Sequence, residues 1–156
     1  MASQIVFNTI TGQILQSVIY DNPFNISMSD ETLNYILNSY NIPEKERKNY
    51  KIIKVEDNFI TGEARIIFKY ENNQLIKKKL VSLMLIDKFP TEIKYKCINE
   101  NRELIIDSII LTVDGEDYII QNGEFSLESP VPTKFEVSIT RDKNYFMFPT
   151  IIEVGE

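Results

Sequence analysis

The sequence predicts a mainly β fold with a minor α part, divided into an N-terminal α+β lobe over residues 1–89 and a C-terminal immunoglobulin-like β-sandwich over residues 90–156. Three observations predict it. Most apolar residues stand in short β-branched and aromatic runs with a period of two. Helical spacing is sustained over residues 30–40, at Leu33, Ile36, Leu37 and Tyr40. Turn chemistry such as Asp114-Gly115 and Asn122-Gly123 recurs at short intervals after residue 90, the rhythm of a small sandwich.

The opening predicts a β-hairpin, because residues 4–7 and 13–20 have strand composition and Thr11-Gly12 supplies the turn between them. Asp21-Asn22-Pro23 breaks the second strand. Ser29 before Asp30 and Glu31 is an N-cap followed by acidic first-turn residues, which start the helix. Pro43 suits the first turn of a second, short helix that Asn49 ends. Residues 50–55, 64–70 and 74–86 then read as successive strands joined at Asp57-Asn58 and Glu71-Asn72-Asn73, giving a sheet with the helix on one face. Lys88-Phe89-Pro90-Thr91 is the expected domain boundary, since proline cannot donate to a ladder and biases the preceding residue towards an extended linker.

Beyond it, residues 92–98, 103–113, 117–121, 124–128, 134–140 and 145–154 predict short strands. Asp-Gly and Asn-Gly between such runs are the strongest short-range hairpin signals. Phe135, Val137 and Ile139 alternate with Lys134, Glu136 and Ser138, which marks a strand with one dry face.

Composition bounds the function. Apolar residues make up 43% and charged residues 26%, which places the chain among folded globular proteins rather than disordered ones. No apolar run approaches the roughly 18 residues that cross a bilayer, so membrane insertion is not expected. The first ten residues lack the pattern of a secretory signal. A net charge of −6 disfavours nucleic acid, whose binding depends on neutralising phosphates with Lys and Arg. The basic run Lys77-Lys78-Lys79 reads as a solvated strand face, with an acidic partner as the other reading.

Chemistry is constrained further by the absence of histidine, which removes Ser–His–Asp and Cys–His arrangements. Cys97 is the only cysteine, so no intrachain disulfide forms, and its place in an alternating run predicts a buried thiol. The five glycines write neither GxGxxG nor a phosphate-binding loop. No cofactor, metal or catalytic residue is assigned, and an enzyme is not expected. Asp114-Gly115-Glu116-Asp117 gathers three carboxylates, read as a solvated hairpin turn ahead of a calcium loop. Asn25-Ile26-Ser27 matches the glycosylation tripeptide, without a secretory signal to make it accessible.

The candidate interface residues are Tyr145, Phe146, Met147 and Phe148, the densest aromatic run, with Ile5 and Phe7 on the first strand. Strand alternation sends either Tyr145 and Met147 or Phe146 and Phe148 outward. The edges of the strands at residues 1–7 and 145–154 are the expected assembly surfaces.

The segment Ile5-Val6-Phe7-Asn8-Thr9-Ile10-Thr11-Gly12-Gln13-Ile14-Leu15 resembles the start of small tail and tail-fibre-associated proteins of bacteriophages. Residues 108–139, with Thr112-Val113-Asp114-Gly115 and Asn122-Gly123-Glu124-Phe125, look like the immunoglobulin-like modules appended to virion proteins. The resemblance implies a non-enzymatic virion protein of a phage or phage-tail-like particle from a low-GC host. Such a protein is assembled in the bacterial cytoplasm in multiple copies and sits in the tail, baseplate or capsid exterior among other structural proteins. Two other classes stand beside it. A carbohydrate-binding module would stack Tyr95, Tyr118, Tyr145 or Phe148 on host-surface glycans, and a small inhibitor would use its acidic surface to mimic nucleic acid.

Overall fold

The computed structural model describes residues 2–20, 27–55 and 61–155. The chain is mainly β and divides into two compact units, Met1–Lys77 and Lys78–Glu156.

In the first unit, β1 (Ala2–Asn8) lies between β2 (Ile14–Tyr20) and β3 (Tyr50–Val55), antiparallel to both. The β1–β2 hairpin forms as expected, with Gly12 at φ +76°, in the left-handed region where glycine carries no steric cost. Helix α1 (Asp30–Ser39) starts at Ser29, whose side chain accepts from the Thr32 N–H. A short 3-10 helix over Glu44–Asn49 follows Pro43. Val6 on one face of the sheet packs with Ile36 and Leu37 of α1, the helix-on-sheet arrangement that the periodicity predicts.

The opposite face carries Ile5, Phe7 and Ile14, covered by Phe68, Tyr70 and Leu75. These come from the hairpin of β4 (Phe68–Glu71) and β5 (Gln74–Lys77). Here the expectation of one strand over residues 64–70 is corrected, because residues 61–67 form helix α2 (Thr61–Ile67) and only then does the chain become extended. The Asp21-Asn22-Pro23 break, the Asp57-Asn58 turn and the Asn25-Ile26-Ser27 tripeptide fall wholly or mostly outside the described residues.

The strand expected over residues 74–86 is also divided, into β5, β6 (Lys79–Leu80) and β7 (Ser82–Lys88). The change of unit falls at Lys77 and Lys78, ahead of the boundary expected at residues 88–91. Those residues instead turn the chain from β7 into β8 (Glu92–Ile98), with Phe89 N donating to Glu92 O at 2.8 Å. Proline ends a strand equally well at a hairpin turn and at a linker, so its presence does not separate the two.

The second unit has two sheets of unequal width. The larger runs in the order β10 (Glu116–Ile120), β9 (Ile109–Val113), β12 (Thr133–Ile139), β13 (Tyr145–Val154), β6. The smaller runs β11 (Glu124–Glu128), β8, β7. Inward residues of both sheets, among them Ile93, Cys97, Leu111, Leu127, Val137 and Ile139, form one hydrophobic cluster. Residues 103–108, expected as part of a strand, contribute only an isolated bridge between Leu104 and Ile98.

Asp114-Gly115 makes the expected two-residue hairpin between β9 and β10, with φ values of +49° and +85°. Asn122-Gly123 has the same signature, at +58° and +69°, yet joins strands of different sheets. The hairpin expected there is therefore corrected: two residues of positive φ reverse the chain, and the pairing is decided by which sheet has room for the next strand.

Candidate interaction site

Of the six candidate interface residues, one is substantially exposed. Tyr145 and Met147 point into the second unit's core, and Phe146 on the other face of β13 is also buried. Phe148 is 42% exposed, with its ring set edge-on to Phe146 at 5.8 Å. It is turned out at an extra residue in β13, since Val137 pairs with Thr150 and Ile139 with Met147. Pro149, which cannot donate to a ladder, sits in that irregularity. Ile5 and Phe7 are buried because β1 is the central strand of its sheet, so the edge expected at residues 1–7 is not an edge. The later part of β13 is an edge, since β6 pairs only with Tyr145 and Phe146, and Ile151 there is exposed.

The polar groups near this strand are partnered. The Tyr145 hydroxyl donates to Asp107 Oδ2 at 2.6 Å, and that bond, with burial, pushes its pKa up to about 12. Burial alone pushes the Cys97 thiol up to about 11, which makes it an inert core group at neutral pH. An unfolded tyrosine releases its proton near pH ~10, so the stability tied to Tyr145 is whole below that value and drains as pH rises to about 12. Cys97 acts in the same direction from its ordinary value of 9.0 to about 11. Tyr145→Phe is expected to lower stability at neutral pH by about 1 kcal/mol. It should also flatten the decline between pH ~10 and ~12 in urea titrations followed by circular dichroism.

The loop at Asp114-Gly115-Glu116-Asp117 spends its carboxylates locally. Asp114 Oδ1 accepts from Glu136 N at 2.9 Å, and Glu116 Oε2 accepts from the Tyr118 hydroxyl at 3.0 Å. Asp117 Oδ1 accepts from Thr112 Oγ1 at 2.7 Å and pairs with Arg141 at 2.8 Å.

A concavity with an apolar lining lies between β10 and β11, each the end strand of its sheet. Tyr118 pairs in register with Leu111 and so belongs to the inner face, yet it is 50% exposed. Leu111, Tyr118, Phe125, Leu127 and Phe135 line a cleft of about 290 Å³, close to the lower end of the range for small-molecule sites. Its one charged lining residue is Glu128, and Glu116 accepts from the hydroxyl of Tyr118 beside it.

Other exposed apolar side chains on edge strands are Leu85 and Ile86 of β7, with Phe89 just beyond it, and Ile119 on the outer face of β10. Sequence reasoning named Tyr118 only as a glycan-stacking candidate and assigned Phe125 and Phe135 to strands without a role. Which strand ends each sheet, and so borders the cleft, has no local signature. Among the described residues no helix is long and apolar enough to cross a membrane. Comparison of the chain with family models, curated proteins and solved structures gave no match.

Proposed function

We propose that the chain is a non-enzymatic structural protein of a phage or phage-tail-like particle, acting through protein–protein assembly in a tail, baseplate or capsid exterior. The observation that carries this reading is the collection of exposed apolar side chains on the edge strands of the second unit: Leu85 and Ile86, Tyr118 and Ile119, Phe148 and Ile151. An unpaired strand edge with apolar neighbours is a template for a partner's strand, and an assembly protein needs such surfaces in place of chemistry.

In the same reading the second unit is an immunoglobulin-like sandwich. Its strand order supports this: β7, β8 and β11 on one side, β10, β9, β12 and β13 on the other, with the chain changing sheet within these seven strands at β8–β9, β10–β11 and β11–β12. Exposed Tyr118 and Phe148 favour a second reading, a module for host-surface glycans, since each presents an aromatic surface on which a sugar ring stacks. Tyr145 leaves that candidate set because it is buried.

Particles released by the source organism, purified by density and quantified by mass spectrometry against labelled standards, test the assignment. A fixed copy number per particle across independent preparations is expected. Loss of the chain on purification, with major particle proteins retained, would remove it.

A further inference from the structure

We infer that the cleft between β10 and β11 receives an extended segment of a partner protein, paired to the β11 edge, with apolar residues entering the cleft and basic residues flanking them. The inference deepens the assembly reading and rests on it for the kind of partner.

Three observations fix the occupant. The smaller sheet ends at β11 and the larger at β10, and where the two edges meet the inner face of β10 is only partly covered: Ile120 is buried while Tyr118 is not. Half-exposed Tyr118 on that face is the consequence. A strand added beside β11 would cover Tyr118 and satisfy the edge's unpaired backbone groups.

The second observation is the alternation of β11, Glu124-Phe125-Ser126-Leu127-Glu128. Phe125 and Leu127 are the less exposed side chains of β11 and line the cleft; Ser126 and Glu128 are exposed at its border, and Glu124 is exposed beyond it. A pairing strand therefore needs apolar residues opposite Phe125 and Leu127 and cations opposite Glu124 and Glu128. Third, Glu128 stands directly opposite Glu92 of β8, whose carboxylate has Lys94 at 3.5 Å, so Glu128 has no cation opposite it in the ladder and a lysine or arginine on an added strand would supply one. The same pattern argues against a second copy of this chain as occupant. Antiparallel pairing of β11 with itself about Ser126 sets Glu124 against Glu128 twice.

The test uses the full chain and a capped peptide with the core Lys-Leu-Thr-Phe-Lys, against a control with Glu in place of both Lys. Titration followed by two-dimensional NMR should move the Tyr118 ring and Phe125 signals, with the control weaker by ~10-fold or more. Glu128→Lys should weaken the basic peptide by ~10-fold. Its melting temperature should not fall, because the lysine stands opposite Glu92, so misfolding cannot imitate the effect.

Equal binding of the two peptides, or no binding by the folded chain, would overturn the inference. A glucose hexasaccharide that shifted the Tyr118 ring signals where the peptide did not would overturn it in favour of a glycan. Peptide binding by a chain absent from particles would keep the cleft and discard the particle reading, and the reverse pair of results would keep particle assembly and discard the cleft.

Discussion

Gly123→Ala is expected to destabilise the second unit by about 3 kcal/mol, more than its neighbouring turn glycine allows for. Gly123 has φ +69°, where an L side chain costs roughly 1–2 kcal/mol. The larger part of the effect is steric. A Cβ at Gly123 would collide with the backbone oxygen of Ile105 and stand 2.8 Å from Leu104 Cδ1. A leucine methyl moves easily, but the Ile105 peptide is held, because Ile105 N donates to Cys97 O at 3.0 Å and Cys97 N donates to Gly123 O at 2.6 Å. Relieving the collision means shifting one of these linked segments, at the 1–3 kcal/mol or so typical of overpacked sites. Gly115→Ala is the control, since Gly115 has φ +85° and a Cβ there meets nothing within 4 Å. It should lose only the conformational part. Urea unfolding of both variants separates the two contributions, and equal losses would show that the contact with Ile105 is relieved without cost.

Gly123 also shows where local information stops. The features legible in the sequence were those that depend on a few adjacent residues. The Thr11-Gly12 hairpin, the Ser29 cap with its helix, and the strands Tyr50–Val55, Glu92–Ile98, Glu124–Glu128 and Tyr145–Val154 stand as their patterns require. Asp114-Gly115 and Asn122-Gly123 carry the same local signal and adopt the same left-handed geometry, yet one closes a hairpin and the other changes sheet. Pairing is a long-range choice that a dipeptide does not encode. Residues 61–67 show the same limit from the other side, with Ile66 and Ile67 favouring a strand by composition while the segment folds as a helix.

The candidate site was legible to a similar degree. Alternation sends either Tyr145 and Met147 or Phe146 and Phe148 outward, but it could not choose between the pairs or say that Phe148 alone of the four would leave the core. The β1 residues Ile5 and Phe7 read as an edge from their place near the start of the chain, whereas the sheet order β2-β1-β3 makes them central. The cleft depends on which strands end the two sheets, which is settled only after all strands have found partners.

Asp142→Ala is expected to cost a similar amount, about 3 kcal/mol, by a different route. Asp142 is 6% exposed and lies in the β12–β13 connection. Its Oδ2 accepts from the N–H groups of Asn144 and Tyr145, both at 2.9 Å, and its Oδ1 accepts from Ile110 N, also at 2.9 Å. One carboxylate thus closes its own turn and ties that turn to β9. Alanine leaves three backbone donors without this acceptor, and of these the Tyr145 N–H is buried and the Ile110 N–H partly so, where water reaches them poorly. Asp142→Asn is the more telling variant because an amide has one oxygen where the carboxylate has two. With the oxygen at the Oδ2 position it keeps the turn and sets its NH2 against Ile110 N–H, donor against donor. With the amide flipped it keeps β9 and opens the turn. Hydrogen exchange distinguishes the outcomes: alanine should deprotect the amides of Ile110, Asn144 and Tyr145 together, and asparagine should deprotect either Ile110 alone or the other two. Unchanged protection in the alanine variant would mean that the turn is held by the strands it joins rather than by its buried carboxylate.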